Sequence, residues 1–327
     1  MLFVLGAGSF APEQVLSDQM LAAFGIASAA GASTPLKRHT TLNLELLQSL
    51  KNSDLQQALQ SAAPTCTDMG EAAARQAIER AGITPDQIGL VLGDCATPVE
   101  VTPSEGQRVA GRLGLKVPAY DIYTCTGVCP AHISILSTWR KERLPRYILC
   151  ISSNAPTQRI DYSKGSDGWF YSDGASACVL SAEDQRGLEN VWTYYRVDNT
   201  MKSSFDLDTL GNLTRRPLQT AQVKAQYENI FSALKAETAL EKQLNEATVF
   251  WSLGDSVLQT ELAEGAGISK ERLFNAQAAD GDMLGSCSFF TLAQQWDNFL
   301  DKQLVAVVAA EGSMNYGAAF FRVHRGS

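Results

Sequence analysis

Histidine is scarce in this chain: three occur in 327 residues, His39, His132 and His324, far apart from one another. The seven cysteines (Cys66, Cys95, Cys125, Cys129, Cys150, Cys178, Cys287) show neither C-x-x-C nor Cys/His metal spacing, which removes a zinc-site reading. Most of them read as small buried hydrophobes in a reducing compartment. Lys/Arg clusters and aromatic-basic interleaving are missing and the net charge is −8, so a nucleic-acid surface has no support. No apolar run approaches the roughly 18 residues of a membrane span. The opening "MLFVLGAGSFAPEQ" has neither a basic n-region nor a cleavage-like site, and reads as a strand rather than a signal peptide. The expectation is an acidic cytoplasmic enzyme with no membrane partner, no nucleic-acid partner, no metal and no bound cofactor.

What is present is a globular pattern. Hydrophobic residues make up 45%, enough for a substantial core, and the length implies one large α/β unit or two fused halves. "TDMGEAAARQAIERAGI" reads as an amphipathic helix closed by Gly82, "IGLVLGDCAT" as a buried strand, "SEGQRVAGRLGL" as a helix, "AYDIYTC" as a strand and "GVCPAHISILSTWRKERL" as a helix. "RYILCISSN" and "DGASACVLSAE" read as strands. This alternation predicts a mostly parallel sheet with helices on its faces. A second series follows: a helical run "TAQVKAQYENIFSALKAETALEKQLNEA", strand "TVFWSL", helices near "SVLQTELAEGAGI" and "FFTLAQQWDNFLDKQ", then strands "LVAVVAAEG" and "AAFFRVHR". The series meet at the polar "SAEDQRGLEN", giving an expected division into residues 1–186 and 187–327.

"GAGSFA" superficially resembles a dinucleotide fingerprint, but Ala11 stands where the third glycine is needed and Pro12 follows. A tight turn is preferred. Cys125 in "DIYTCTGVCPAH" precedes a predicted helix, whose N-terminus would stabilise a thiolate, and Gly127 would let a substrate approach the backbone. Locally, a nucleophile and a buried structural cysteine both fit. Cys129, beside Pro130, reads as packing. His132 lies two helical turns beyond Cys125, about 10 Å along the axis, too far to deprotonate it. His39 and His324 read as surface residues, and Trp139 as a core contact.

The ordered segments "GAGSFAPEQV", "DMGEAAARQAIERAGITPDQIGLVL", "YDIYTCTGV", "SDGASACVL" and "EGSMNYGAAFFRV" together resemble β-ketoacyl-ACP synthase III, a branch of the thiolase-like superfamily. The resemblance implies a duplicated αβαβα five-layer fold, with residues 1–186 as the half carrying the nucleophilic cysteine, and a homodimer formed through that half. It implies that Cys125 takes an acyl group from CoA or an acyl carrier protein. It also implies an oxyanion hole made by the N–H groups of Cys125 and Gly312, each donor worth about 3 kcal/mol.

The departures define the expected chemistry. Where the family carries a histidine and an asparagine that stabilise the malonyl-derived enolate, this chain aligns Leu253 and Asp282. Leucine has no donor and an ionised Asp282 would repel the enolate, which disfavours decarboxylative condensation. Near Lys37 to Thr40 the family's adenine-gripping tryptophan and arginine have no counterpart, favouring a carrier-protein donor or a small thioester over CoA. The expectation is therefore an acyltransferase that loads Cys125 and passes the acyl group to an acceptor, with Asp282 or Asp255 as the acceptor's base. The alternatives are a non-catalytic subunit paired in a heterodimer with an active ketosynthase, and a condensing enzyme with a displaced base. Glu100 and Glu105, near the segment that reaches the partner subunit in the family, read as solvated loop residues.

Overall fold

Apolar strands buried on both faces, separated by helices with one apolar side, must stack in layers. The computed structural model describes residues 1–26, 37–124, 126–164, 168–201, 205–215, 220–310 and 314–325. Strand β1 (Phe3–Phe10) is followed by short helices α1 (Asp18–Ala23), α2 (Leu44–Leu50) and α3 (Leu55–Ser61). Then come α4 (Cys66–Ala81), β2 (Ile88–Asp94), α5 (Glu105–Arg112), β3 (Ala119–Asp121), α6 (Val128–Ser137), β4 (Tyr147–Asn154) and β5 (Gly174–Ser181). The second series is β6 (Gly187–Val197), the hairpin β7 (Phe205–Leu207) and β8 (Leu213–Arg215), α7 (Thr220–Lys235), α8 (Thr238–Glu241), β9 (Thr248–Ser252), α9 (Ser256–Ala266), β10 (Leu273–Asn275), α10 (Ala276–Asp280), α11 (Cys287–Gln294), β11 (Leu304–Ala309) and β12 (Asn315–His324). Among the described residues no helix is long and apolar enough to cross a membrane.

Ten strands form one sheet in the order β10-β9-β11-β12-β6-β1-β5-β4-β2-β3. Outward from the β1–β6 contact, where Phe3 faces Glu189 and Val4 faces Leu188, both sides repeat one pattern. β1-β5-β4-β2-β3 answers β6-β12-β11-β9-β10, so the architecture is duplicated. The expected mostly parallel sheet is corrected: among the described residues only β2 with β3 and β4, and β9 with β10 and β11, are parallel strand pairs. Among the described residues β4 reaches β5 without an α-helix, and only residues 310–314 separate β11 from β12. That is shorter than the dozen or so residues a parallel crossover requires.

Three cores define five layers. The middle one packs Ile133 and Leu136 of α6 and Phe289 and Leu292 of α11 between strands of both halves, including Leu90, Ile148, Phe250 and Val307. Outside the first half, Met69, Ala73 and Ala77 of α4 cover Val91, Leu149 and Val179. Outside the second, Tyr227 and Ile230 of α7 and Leu258 and Leu262 of α9 cover Val249, Trp251 and Val308.

Helix α4 ends at Gly82, as its sequence predicts. Thr65 and Asp68 form a reciprocal capping box, and Gly82 closes the C-terminus in the left-handed region at φ 66°. The run beginning at Thr220 breaks after Lys235, and α6 stops at Ser137, short of the predicted ends. Trp139 is 40% exposed rather than in the core.

The glycines of "GAGSFA" are not in a turn. Gly6 and Gly8 lie within β1, where α4 comes so close that a Cβ on Gly6 would stand 2.3 Å from the Ala77 carbonyl oxygen and one on Gly8 2.0 Å from that of Ala73. Those neighbours are backbone atoms and cannot swing aside. Gly8→Ala is expected to lower stability by about 2–3 kcal/mol, read as a fall in the urea midpoint. Gly111→Ala, in helix α5 with open space around its Cβ, is expected to raise stability by about 0.5–1 kcal/mol. Equal midpoints for the two variants would contradict the close-packing account.

Candidate active site

Cys125 and Gly312 lie outside the described residues, as do residues 27–36 just before Lys37. The residues flanking Cys125 are described and tightly held. The Ile122 N–H donates to the Gly93 carbonyl at 2.8 Å, and the Thr124 N–H donates to Asp94 Oδ1 at 2.9 Å. From the second half, Asn315 Nδ2 donates to the Thr124 carbonyl at 2.8 Å, while Thr126 Oγ1 donates to the Asn315 carbonyl at 3.0 Å. Tyr195 of β6 donates its hydroxyl to Asn315 Oδ1 at 2.8 Å. Burial, with the Asp94 carboxylate nearby, pushes the Tyr195 phenol up to about 12, so it stays protonated and a donor.

Helix α6 starts at Val128, after Gly127 at φ 66°. A Cβ on Gly127 would meet nothing closer than 3.8 Å, so the glycine is required by its left-handed backbone rather than by crowding.

In strand β9 the side chains alternate. Val249 and Trp251, with Leu253 just beyond, enter the outer core, whereas Phe250 faces the middle layer. Ser252 shares the face of Phe250. It is 1% exposed, its Oγ has no hydrogen-bond partner, and it lines a cavity of about 10 Å³ with the start of α6 (Gly127 to Pro130), Gly285 and Ala309. An unpaired buried hydroxyl costs about 1–3 kcal/mol. Leu253, buried against Trp251 and Leu258 in the outer core, faces away from this cavity.

Asp282 is 8% exposed. Its N–H donates to the Phe170 carbonyl, its carbonyl accepts from the Ser172 N–H, and its Oδ1 accepts from the Leu284 N–H at 2.8 Å. The carboxylate thus shapes the turn into α11, two residues before Leu284, which lines the cavity. Asp255 caps α9, accepting from the N–H groups of Val257 and Leu258. Glu105 is not a solvated loop residue: it opens α5, is buried and accepts from Thr67 Oγ1 at 2.6 Å, and burial raises its carboxyl. Glu100 pairs with Arg108.

His39 is mostly buried, its Nδ1 2.6 Å from the Pro12 carbonyl and its Nε2 3.6 Å from Asp280 Oδ1. His324 meets Glu189 at 2.6 Å at the far end of β12. His132, within α6, is buried beside a second cavity of about 20 Å³ lined also by Cys129, Cys150 and Cys178. All six described cysteines are free thiols, and among the described residues no group of three or more His, Cys, Asp or Glu side chains could hold a metal.

Sequence reading passed over Asp94, Tyr195, Asn315 and Ser252. The available signals were a carboxylate ending the apolar run "IGLVLGD" and a serine on the period-2 face of "TVFWS".

No protein-family model matches the chain. The β-ketoacyl-[acyl-carrier-protein] synthase III of Citrobacter koseri is 33% identical over 153 residues, 46% of this chain and 46% of the relative. That of Rhizobium meliloti is 31% identical over 127 residues, 38% of this chain and 39% of the relative. The matches thus span less than half the length of these relatives. Among solved structures, 3-oxoacyl-[acyl-carrier-protein] synthase III from Aquifex aeolicus superposes with a TM-score of 0.79 at 18% identity, covering 98% of this chain and 100% of that one. The C-terminal type III polyketide synthase domain of a type I/III hybrid from Dictyostelium gives 0.80 at 16% identity, covering 98% and 99%. The fold is the thiolase-like αβαβα fold.

Burial lowers the His132 imidazole to about 4, against a weaker opposing hydrogen bond with the Gly93 backbone. The unfolded chain therefore takes up this proton first as pH falls below about 6.5. The native state should lose about 3 kcal/mol from this group between pH 6.5 and 4, and no more below. Urea titrations at stepped pH should show this loss in the native protein and its absence in His132→Gln.

Proposed function

We propose that this chain, β-ketoacyl-ACP synthase III-like in sequence and thiolase-like in fold, is a cytoplasmic acyltransferase using Cys125 as nucleophile. The thiolate would attack the carbonyl carbon of an acyl thioester of an acyl carrier protein or CoA. The carbonyl π electrons move to oxygen, and collapse of that oxyanion breaks the old C–S bond. The carrier thiolate leaves and takes a proton from solvent. An alcohol, amine or carbon acceptor then attacks the acyl-cysteine, losing its proton to a base for which Asp282 is the candidate, and Cys125 returns as thiolate. The N–H groups of Cys125 and Gly312 would hold the oxyanion. Residues 1–186 would supply the nucleophile and residues 187–327 the opposite wall.

The observation that carries this reading is the hydrogen bonding of Thr124 and Thr126, on either side of Cys125, to Asp94 of one half and Asn315 of the other. A structural cysteine needs no such positioning, whereas a nucleophile gains from a preorganised backbone. Decarboxylative condensation is not part of the proposal, because Leu253 and Asp282 replace the expected neutral donors.

Incubation with acetyl, hexanoyl and dodecanoyl thioesters of CoA and of an acyl carrier protein is expected to add one acyl mass to the intact protein, absent in Cys125→Ala. No adduct from any thioester, or release of carbon dioxide from malonyl carrier protein, overturns the reading.

A homodimer is also proposed, through the free edge of β3. Tyr120 there is 56% exposed and Tyr123 nearby 60%, with Val101 at 89%, an unpaired edge bordered by apolar groups. Sedimentation should give a dimer, and Tyr120→Lys a shift toward monomer.

A further inference from the structure

We infer that the Ser252 hydroxyl is a catalytic hydrogen-bond donor to the carbonyl oxygen of the acyl group, in the cavity between the start of α6 and the ends of β9 and β11. The inference rests on the acyltransferase reading and adds to it a residue outside the expected cysteine, glycine and aspartate.

Three observations converge on it. Ser252 is 1% exposed and its Oγ has no hydrogen-bond partner. Its side chain lines a cavity of about 10 Å³, room for one water-sized group such as a carbonyl oxygen. The other lining hydroxyl, on Ser288, is already directed at the Val308 carbonyl.

The cavity is also close, in chain position, to the residues proposed for the acyl chemistry. Gly127 and Ala309 line it, two residues after Cys125 and three before Gly312 in the sequence. The first N–H groups of α6 have no capping side chain and no intrahelical acceptor, so this end of the cavity favours negative charge on oxygen. Leu253, aligned with the family's histidine, points into the opposite core. The strand therefore presents a serine, one residue earlier, where a donor is required. Ser252 keeps its proton throughout: it stabilises the oxyanion without acting as acid or base.

The test compares the native protein with Ser252→Ala and Ser252→Thr, using the same CoA and carrier-protein thioesters. Acylation of Cys125 is followed by intact mass, and stability by melting temperature. Loss of one such donor should slow acylation about 100-fold with KM within about threefold, while Ser252→Thr recovers most of the rate. The melting temperature of Ser252→Ala should be unchanged or higher, since an unpaired buried hydroxyl is removed. Native acylation with an equally fast Ser252→Ala overturns the role of Ser252 and leaves the acyltransferase reading standing. A lower melting temperature in Ser252→Ala assigns the serine a structural role and overturns the inference. Absence of any Cys125 adduct in the native protein overturns both.

Discussion

Thr124, just before α6, is buried where the two halves meet, so its N–H and C=O groups must find partners within the protein. They find them on both sides. Asp94, ending a strand of the first half, accepts from the Thr124 N–H, and Asn315, opening a strand of the second, donates to the Thr124 carbonyl. Tyr195 in turn holds Asn315. This bridging sets where α6 begins, and α6 with α11 forms the middle layer against which both sets of strands pack. Removing either polar partner would strand a buried peptide group at the centre of the fold.

Close packing around that layer leaves little freedom elsewhere. Gly285 touches the start of α6 and the Asp94 carboxylate, since a Cβ there would stand 2.4 Å from Val128 Cγ2 and 2.8 Å from Asp94 Oδ2. A second buried carboxylate, Asp173, accepts from the N–H and hydroxyl groups of both Thr41 and Thr157, tying the segment before α2 and the segment after β4 to β5. Burial raises its carboxyl despite those four bonds. The Ser252 hydroxyl and the His132 Nε2 are among the buried polar atoms left without a partner. One opens on the cavity at the head of α6, the other on the cavity beneath it.

Local signals were legible where the controlling physics is local. Gly82, left-handed at the end of α4, marks a helix end that backbone geometry alone decides. The repeated order of strands and helices carries the duplicated architecture. What failed to show in sequence was tertiary. Gly6 and Gly8 are small because a helix from elsewhere lies on them. Glu105 is buried because the Asp121 carboxylate accepts from its N–H and from that of Gly106, drawing the start of α5 onto β3. Antiparallel pairing of β4 with β5 depends on a connection whose path the hydrophobic pattern does not encode.

The same division holds at the candidate site. Sequence alone determined that a cysteine precedes a helix in the first half, that a glycine-bearing segment precedes the last strand, and that histidine is missing between residues 133 and 323. These are matters of order and residue type. Only the tertiary structure decided that Leu253 faces the outer core and Ser252 the middle layer, that Asp282 spends Oδ1 on the turn into α11, and that Asn315 reaches Thr124 across 191 positions of chain. Which face of a strand meets which layer, and which distant side chain completes a buried peptide, follow from how the two halves dock, and no single segment carries that information.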